Sequence, residues 1–255
     1  MKRLLTTFLC LITVATTTMA QNRIMARDII QQINDGRAVV YSNVEIEGNL
    51  DLTDLENRRA ERSVTNLFSG DHRTYESTVE VPISFTNCTF LDNVLAYYHL
   101  ERDKETYVAH FEKDVVFKNC TFKEGSEFKY SEFRGAVTFA GCTFNEVGNF
   151  KYAEFSSTPS FANAKFKSRA DFKYAEFAKG PSFSNVKFES GADFKYTEFP
   201  RETSFERASF EGRADFKYAK FRSPLNMDGV AFNGSEDFKY TEIDSRNFTS
   251  YLLKK

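Results

Sequence analysis

The chain has 255 residues, enough for one large or two ordinary domains, and its core-building falls to 28 Phe in the absence of any Trp. A formal charge of −2, without a charged block or polybasic tail, gives no electrostatic basis for binding nucleic acid or an anionic membrane. The four Cys are too few and too scattered for a disulfide-built or zinc-built fold.

Residues 1–20 read as a secretory signal peptide. Lys2 and Arg3 precede an apolar run from Leu4 to Ala15, and Thr18-Met19-Ala20 offers small residues for cleavage near Ala20. The run is too short for a membrane span, so the mature chain is expected to carry no transmembrane segment and to be periplasmic or extracellular. Cys10 lacks the small residue before it that lipoprotein cleavage requires, which argues against a lipid anchor. Loss of the leader leaves 32 basic against 36 acidic residues and three Cys.

Residues 21–38 are expected to cap the first coil of a repeat that begins at residue 39. Ile24, Ile29, Ile30 and Ile33 lie near helical spacing and Gly36 stands where a helix would stop, which predicts a helix over 24–35.

From residue 39 to 243 the chain repeats. Phe recurs at alternating steps of five and six residues, as in Phe117, Phe122, Phe128 and Phe133, then Phe139, Phe144, Phe150 and Phe155, so that four steps make a period of 22. Of the 28 Phe, 25 fall on this grid; Phe8, Phe68 and Phe248 do not. The grid extends back through Tyr41, Ile46, Leu52 and Val79 and forward to Met227, Phe232, Phe238 and Ile243, giving eight coils of four inward residues. A fixed period near twenty residues marks a solenoid, whose repeats bury their apolar sides only against one another.

Strand side chains alternate faces, so the residue two before each grid position should also point inward. Those residues are small or apolar: Ala153, Ala175, Thr197 and Ala219 in one column, Ala164, Val186 and Ala208 in another. Cys88, Cys120 and Cys142 share the second column and are read as reduced core residues. Asn43, Asn87, Asn119, Asn163 and Asn185, with Gly141 and Gly229, form a turn column, since both types tolerate a left-handed backbone.

Two breaks interrupt the repeat, near 53–78 and 97–110, and both are expected to leave the same corner as loops. Loops on a rigid scaffold are common sites of function. That corner carries a column of Tyr98, Tyr130, Tyr152, Tyr174, Tyr196, Tyr218 and Tyr240, read first as a ladder of rings that stiffens the corner by stacking and alternatively as a candidate binding edge. His72, His99 and His110 lie in or beside the breaks, and His99, Glu101, Asp103 and His110 are added to the candidate binding residues although their spacing matches no standard metal motif. The Asp, Lys and Glu columns repeat in every coil, unlike a unique catalytic constellation, so no catalytic residue, cofactor or metal is assigned. Residues 244–255 form a tail whose Phe248, Tyr251 and Leu252 could cap the last coil or mediate an end-to-end homodimer.

Units such as Ala170-Asp171-Phe172-Lys173-Tyr174 resemble the pentapeptide repeat family, in a Phe-centred form, over most of residues 39–243. The resemblance implies an all-β fold, a right-handed four-sided parallel β-helix. The family includes cytoplasmic proteins that mimic DNA and bind type II topoisomerases; the signal peptide and balanced charge weigh against that role here. The resulting expectation is a non-enzymatic exported scaffold that binds an envelope protein or glycan. A purely structural or stress-related envelope protein is the alternative, with a polysaccharide-acting enzyme third.

Overall fold

A computed structural model describes residues 22–61 and 73–249. The signal peptide, Phe68, His72, Tyr251 and Leu252 therefore lie outside the described residues.

Short strands of two to four residues, separated by tight corners, place each coil above the last with a register of 22 residues: Thr121 pairs with Thr143, Thr143 with Lys165, Lys165 with Lys187. Four stacks result. The first face runs through Val39–Ser42, Ile83–Thr86, Val115–Lys118 and Val137–Thr138, then continues by single bridges joining Thr138, Ser160, Ser182 and Ser204. The second is a nine-stranded sheet from Asn22–Met25 to Ala231–Phe232, and the third an eight-stranded sheet from Leu50–Asp51 to Glu236–Asp237. The fourth is an eleven-stranded sheet, ten strands in a path from Arg59–Ala60 to Arg246–Asn247 and Tyr97–Leu100 off it. The coils form a right-handed four-sided parallel β-helix, the hand that parallel crossovers adopt.

Inward grid residues fill the interior. Within a column, rings stack in parallel, as in Phe144 on Phe166 at 4.5 Å and 2°. Between columns they meet edge to face, as in Phe161 against Phe172 at 5.1 Å and 86°. Both arrangements set the positive ring edge or an offset ring against the negative face, the geometry the aromatic quadrupole favours. The second inward set is small because it shares the coil's cross-section with these rings. Ala153, Ala164, Ala175 and Val186 are buried, and the hydroxyls of Thr197 and Thr241 donate to the carbonyls of Phe172 and Phe216 at 2.8 and 2.7 Å. Cys88, Cys120 and Cys142 are free and buried in their predicted column.

Both ends are covered in part. The helix Ala26–Asn34 lays Ala26, Ile29 and Ile33 on the first coil, and Gly36, at φ +69°, ends it. Ile24 is not helical as expected. It lies in the strand Asn22–Met25, opposite Ile46, because the edge of the second face offers that segment hydrogen bonds that a longer helix would forgo. At the other end, Arg246–Asn247 folds back antiparallel on Glu242–Ile243 and buries Phe248 against Phe221 at 4.8 Å.

Among the described residues, the two breaks form strands as well as turns. Arg73–Val79 and Glu105–Phe111 pair in parallel over seven residues and extend the fourth face outward as a β wing. Arg59–Ala60 and Tyr97–Leu100 add to it antiparallel. The chain leaves the solenoid here but still satisfies its backbone by pairing with the equivalent segment of the next coil.

Candidate functional site: the tyrosine corner

The corner between the third and fourth faces is built from the repeated Asp-Phe-Lys-Tyr unit, and each residue has a separate duty. Asp171 Oδ1 accepts the Lys173 backbone N–H at 3.1 Å, and the same bond recurs at Asp193, Asp215 and Asp237. This is the turn-closing use of an Asp side chain. Phe172 enters the core. Lys173 Nζ sits 5.0 Å from the Tyr174 ring centroid, a cation–π contact repeated by Lys129, Lys151, Lys217 and Lys239 on the following Tyr.

Tyr then takes the left-handed backbone. Tyr130, Tyr152, Tyr174, Tyr196, Tyr218 and Tyr240 all have φ between 58° and 62°. The corner between the first and second faces has the same conformation but fills it with Asn43, Asn87, Asn119, Asn163, Asn185, Gly141 and Gly229, as expected from sequence, and with one larger residue, Arg207. A bulky residue in this region costs roughly 1–2 kcal/mol, which Asn or Gly largely avoids. The signal was present in the sequence: Tyr130 follows Phe128 at the same offset as Asn119 follows Phe117.

Stacking offsets the strain. Consecutive rings from Tyr130 to Tyr240 lie 4.7 to 4.9 Å apart and within 17° of parallel. Each such pair contributes about 0.5–1.5 kcal/mol. The stack covers the ring faces and turns the edges and hydroxyls outward, with Tyr130 41% and Tyr240 57% exposed. Burial, together with the lesser effect of the Lys129 and Lys173 charges, pulls the Lys151 ammonium below its usual range.

Tyr98 does not join this ladder. The wing diverts it, and it stacks on Tyr107 at 4.5 Å, which stacks on Tyr75 at 5.0 Å. Tyr97 takes its place instead, 5.8 Å from Tyr130, its hydroxyl accepting from Lys129 Nζ at 3.0 Å. Tyr75 and Tyr107 were not anticipated, although each sits in a Thr-Tyr pair four residues before Val79 or Phe111. The Tyr107 phenol donates to Glu105 at 2.6 Å, and that bond pushes its pKa up to about 12.

The His-carboxylate grouping does not assemble. His99 faces Thr106 across the wing, its Nδ1 2.9 Å from Oγ1, while His110 is four residues farther along that strand, about 13 Å away. His110 Nδ1 accepts the Glu132 N–H at 3.1 Å and its Nε2 lies 3.7 Å from Glu76. Glu101 and Asp103 occupy the turn at the wing's tip. Among the described residues no group of three or more His, Cys, Asp or Glu is placed to hold a metal.

Beside the ladder, on the fourth face, a groove of about 570 Å³ runs between Tyr152, Tyr174 and Tyr196 and the carboxylates of Glu154, Glu176 and Glu198. The third-face charges behave differently. Arg169 bridges Asp171 and Asp193 at 2.9 Å each, and Arg213 bridges Asp215 and Asp237 at 3.1 Å each.

A stacked four-sided coil built from repeated corner-to-corner units defines a repeat scaffold. The family described as pentapeptide repeats (9 copies) matches residues 109–151, 128–176 and 172–220, so that residues 109–220 are pentapeptide repeats. No curated protein matches it. Among solved structures, a trypsin-treated variant of QnrB1, a plasmid-mediated fluoroquinolone resistance protein, is similar at 12% identity, covering 91% of this chain and 95% of that one. The TM-score of 0.22 is too low to carry an argument from that protein to this one.

Proposed function

We propose that the chain is a non-enzymatic exported scaffold that binds a protein of the cell envelope through the tyrosine corner and the wing beside it. The observation that carries this is the choice of Tyr at six left-handed positions where the opposite corner uses mainly Asn and Gly. Strain that persists through six coils at an exposed edge is the kind of outlier that argues for a use. Pentapeptide repeat proteins in general are structural or binding proteins, in keeping with a non-enzymatic role. A glycan is the weaker choice of partner. Sugars stack on open aromatic faces, and here each face is covered by the next ring, leaving edges and hydroxyls that suit a protein surface.

The test uses Tyr152→Asn with Tyr174→Asn. Asn accepts φ near +60°, so the corner is retained while the rings are lost. Wild-type mature protein should retain an envelope partner that the double variant loses, with far-UV circular dichroism unchanged and Asn163→Gly behaving as wild type. Equal retention by all three proteins would leave the ladder as a stiffening device, which its stacking alone could explain. The leader is tested by the mass of the exported protein, expected to begin after Ala20.

A further inference from the structure

We infer that the outer side of the fourth face is a docking groove for an extended, basic segment of a partner protein. This rests on reading the corner as a partner-binding site and names the chemistry of the partner.

The groove has two unlike walls. On one side stand the edges of Tyr152, Tyr174 and Tyr196; on the other Glu154, Glu176 and Glu198 succeed one another in strand register. Toward the wing a second hollow of about 320 Å³ continues the same face, lined by Glu76, Val108, His110 and Tyr130. Like charges directly opposed on neighbouring strands, about 4.8 Å apart, destabilise a sheet. Elsewhere this chain answers such stacks with a cation that spans two coils, as Arg169 and Arg213 do for the Asp column. Among the described residues, the Glu132–Glu198 run is answered by ion pairs only at its ends, Glu132 by Arg134 at 2.7 Å and Glu198 by Lys220 at 2.8 Å. Among the described residues, no Lys or Arg forms an ion pair with Glu154 or Glu176 between them. Burial, and then the neighbouring charges of Glu176 and Glu132, hold the Glu154 carboxyl above its usual range.

Charge and shape specify the occupant. Two carboxylates without a cation in an elongated groove call for at least two cations on one extended chain. Lys and Arg side chains have stems long enough to bridge the difference between the 4.8 Å coil spacing and the ~6.6 Å between alternate residues of an extended peptide. The Tyr hydroxyls beside them can bond its backbone. The groove is thus complementary to a basic strand in charge, in length and in hydrogen-bonding edge.

The test measures fluorescence anisotropy of a labelled peptide of alternating Lys and Ser against the mature chain, with an alternating Glu and Ser peptide as comparison. Wild type should bind the basic peptide in preference, and Glu154→Gln with Glu176→Gln should weaken it by about tenfold or more. Glu124→Gln with Glu146→Gln, an equal change of charge on another column, should leave it within about twofold. The groove variant should melt no lower than wild type, because a like-charge pair has been removed. Equal weakening by both double variants, or equal binding of both peptides, overturns the proposal. Calcium chloride alone raising the melting temperature of wild type but not of the groove variant would assign the carboxylates to a metal ion and also overturn it. Failure of the basic peptide while Tyr152→Asn with Tyr174→Asn still loses the envelope partner would sink the groove chemistry and leave the binding function standing.

Discussion

Truncating one inward ring at mid-rod and one at the C-terminal end should separate a nearest-neighbour solenoid from an ordinary core. Phe172 is fully buried, stacks on Phe150 at 5.0 Å and Phe194 at 5.2 Å, and meets Phe161 and Phe183 edge to face at 5.1 and 5.2 Å. Its backbone N–H is held by the Asp193 carbonyl at 2.8 Å, so the coils cannot close on a cavity. Phe172→Ala should therefore lie at the upper end of ring-to-methyl losses, about 4–5 kcal/mol, a large part of the stability of a typical domain. Phe232, half-buried in the last coil, stacks only on Phe210 at 5.0 Å and touches Phe238 at 5.4 Å. With a ring stacked on one face only among the described residues, Phe232→Ala should cost about 2 kcal/mol and fray the end without unfolding the middle. Urea unfolding followed by far-UV circular dichroism gives both values. Equal losses, or a larger loss for Phe232→Ala, would refute the stacking argument.

Three further outcomes are expected. Gly212→Ala would drive a methyl into the backbone carbonyl of Ser190, whereas at Gly191 the nearest atom is 3.8 Å away; thermal melts should show a loss of at least ~2 kcal/mol for the first and less than ~0.5 for the second. Cys120, whose thiol is pushed up to about 12 mainly by its hydrogen bond with Cys142 and also by burial, carries no thiolate at pH 8. Ellman's reagent should leave it untouched in native protein and label it in guanidinium; rapid native labelling would reverse its orientation. Burial raises the Glu127 carboxyl, against the opposing hydrogen bond from Asn149 at 2.6 Å. With the folded pKa above the unfolded one, its contribution to stability is present below the unfolded value and lost as pH rises through the folded value. Glu127→Gln should thus raise the melting temperature at pH 7 and raise it less at pH 4; a gain larger at pH 4 would show the sign to be wrong.

Much of the molecule was legible in the sequence because a solenoid is decided one coil at a time. Phe at every fifth or sixth residue sets which side chains face inward, and the 22-residue period then sets the register of every coil on the next. The Cys column, the Asn and Gly turn and the position of Gly36 at the end of a capping helix all derive from that local pattern. Features that required a choice between distant partners were not legible. The breaks read as polar loops, yet Arg73–Val79 and Glu105–Phe111 become strands by pairing with each other across 32 residues. Ile24 left the helix for a vacant strand edge, and Tyr98 left the ladder for the stack with Tyr107.

Periodicity by itself determined a solenoid and its inward-facing residues, and the resemblance of its units to pentapeptide repeats implied the β-helix. Only the tertiary structure decided the character of the exposed edge. It alone brought cations to the Asp column and, among the described residues, left Glu154 and Glu176 without one. Those outcomes depend on which surface side chains meet across coils, and the hydrophobic pattern places no constraint on outward-facing residues.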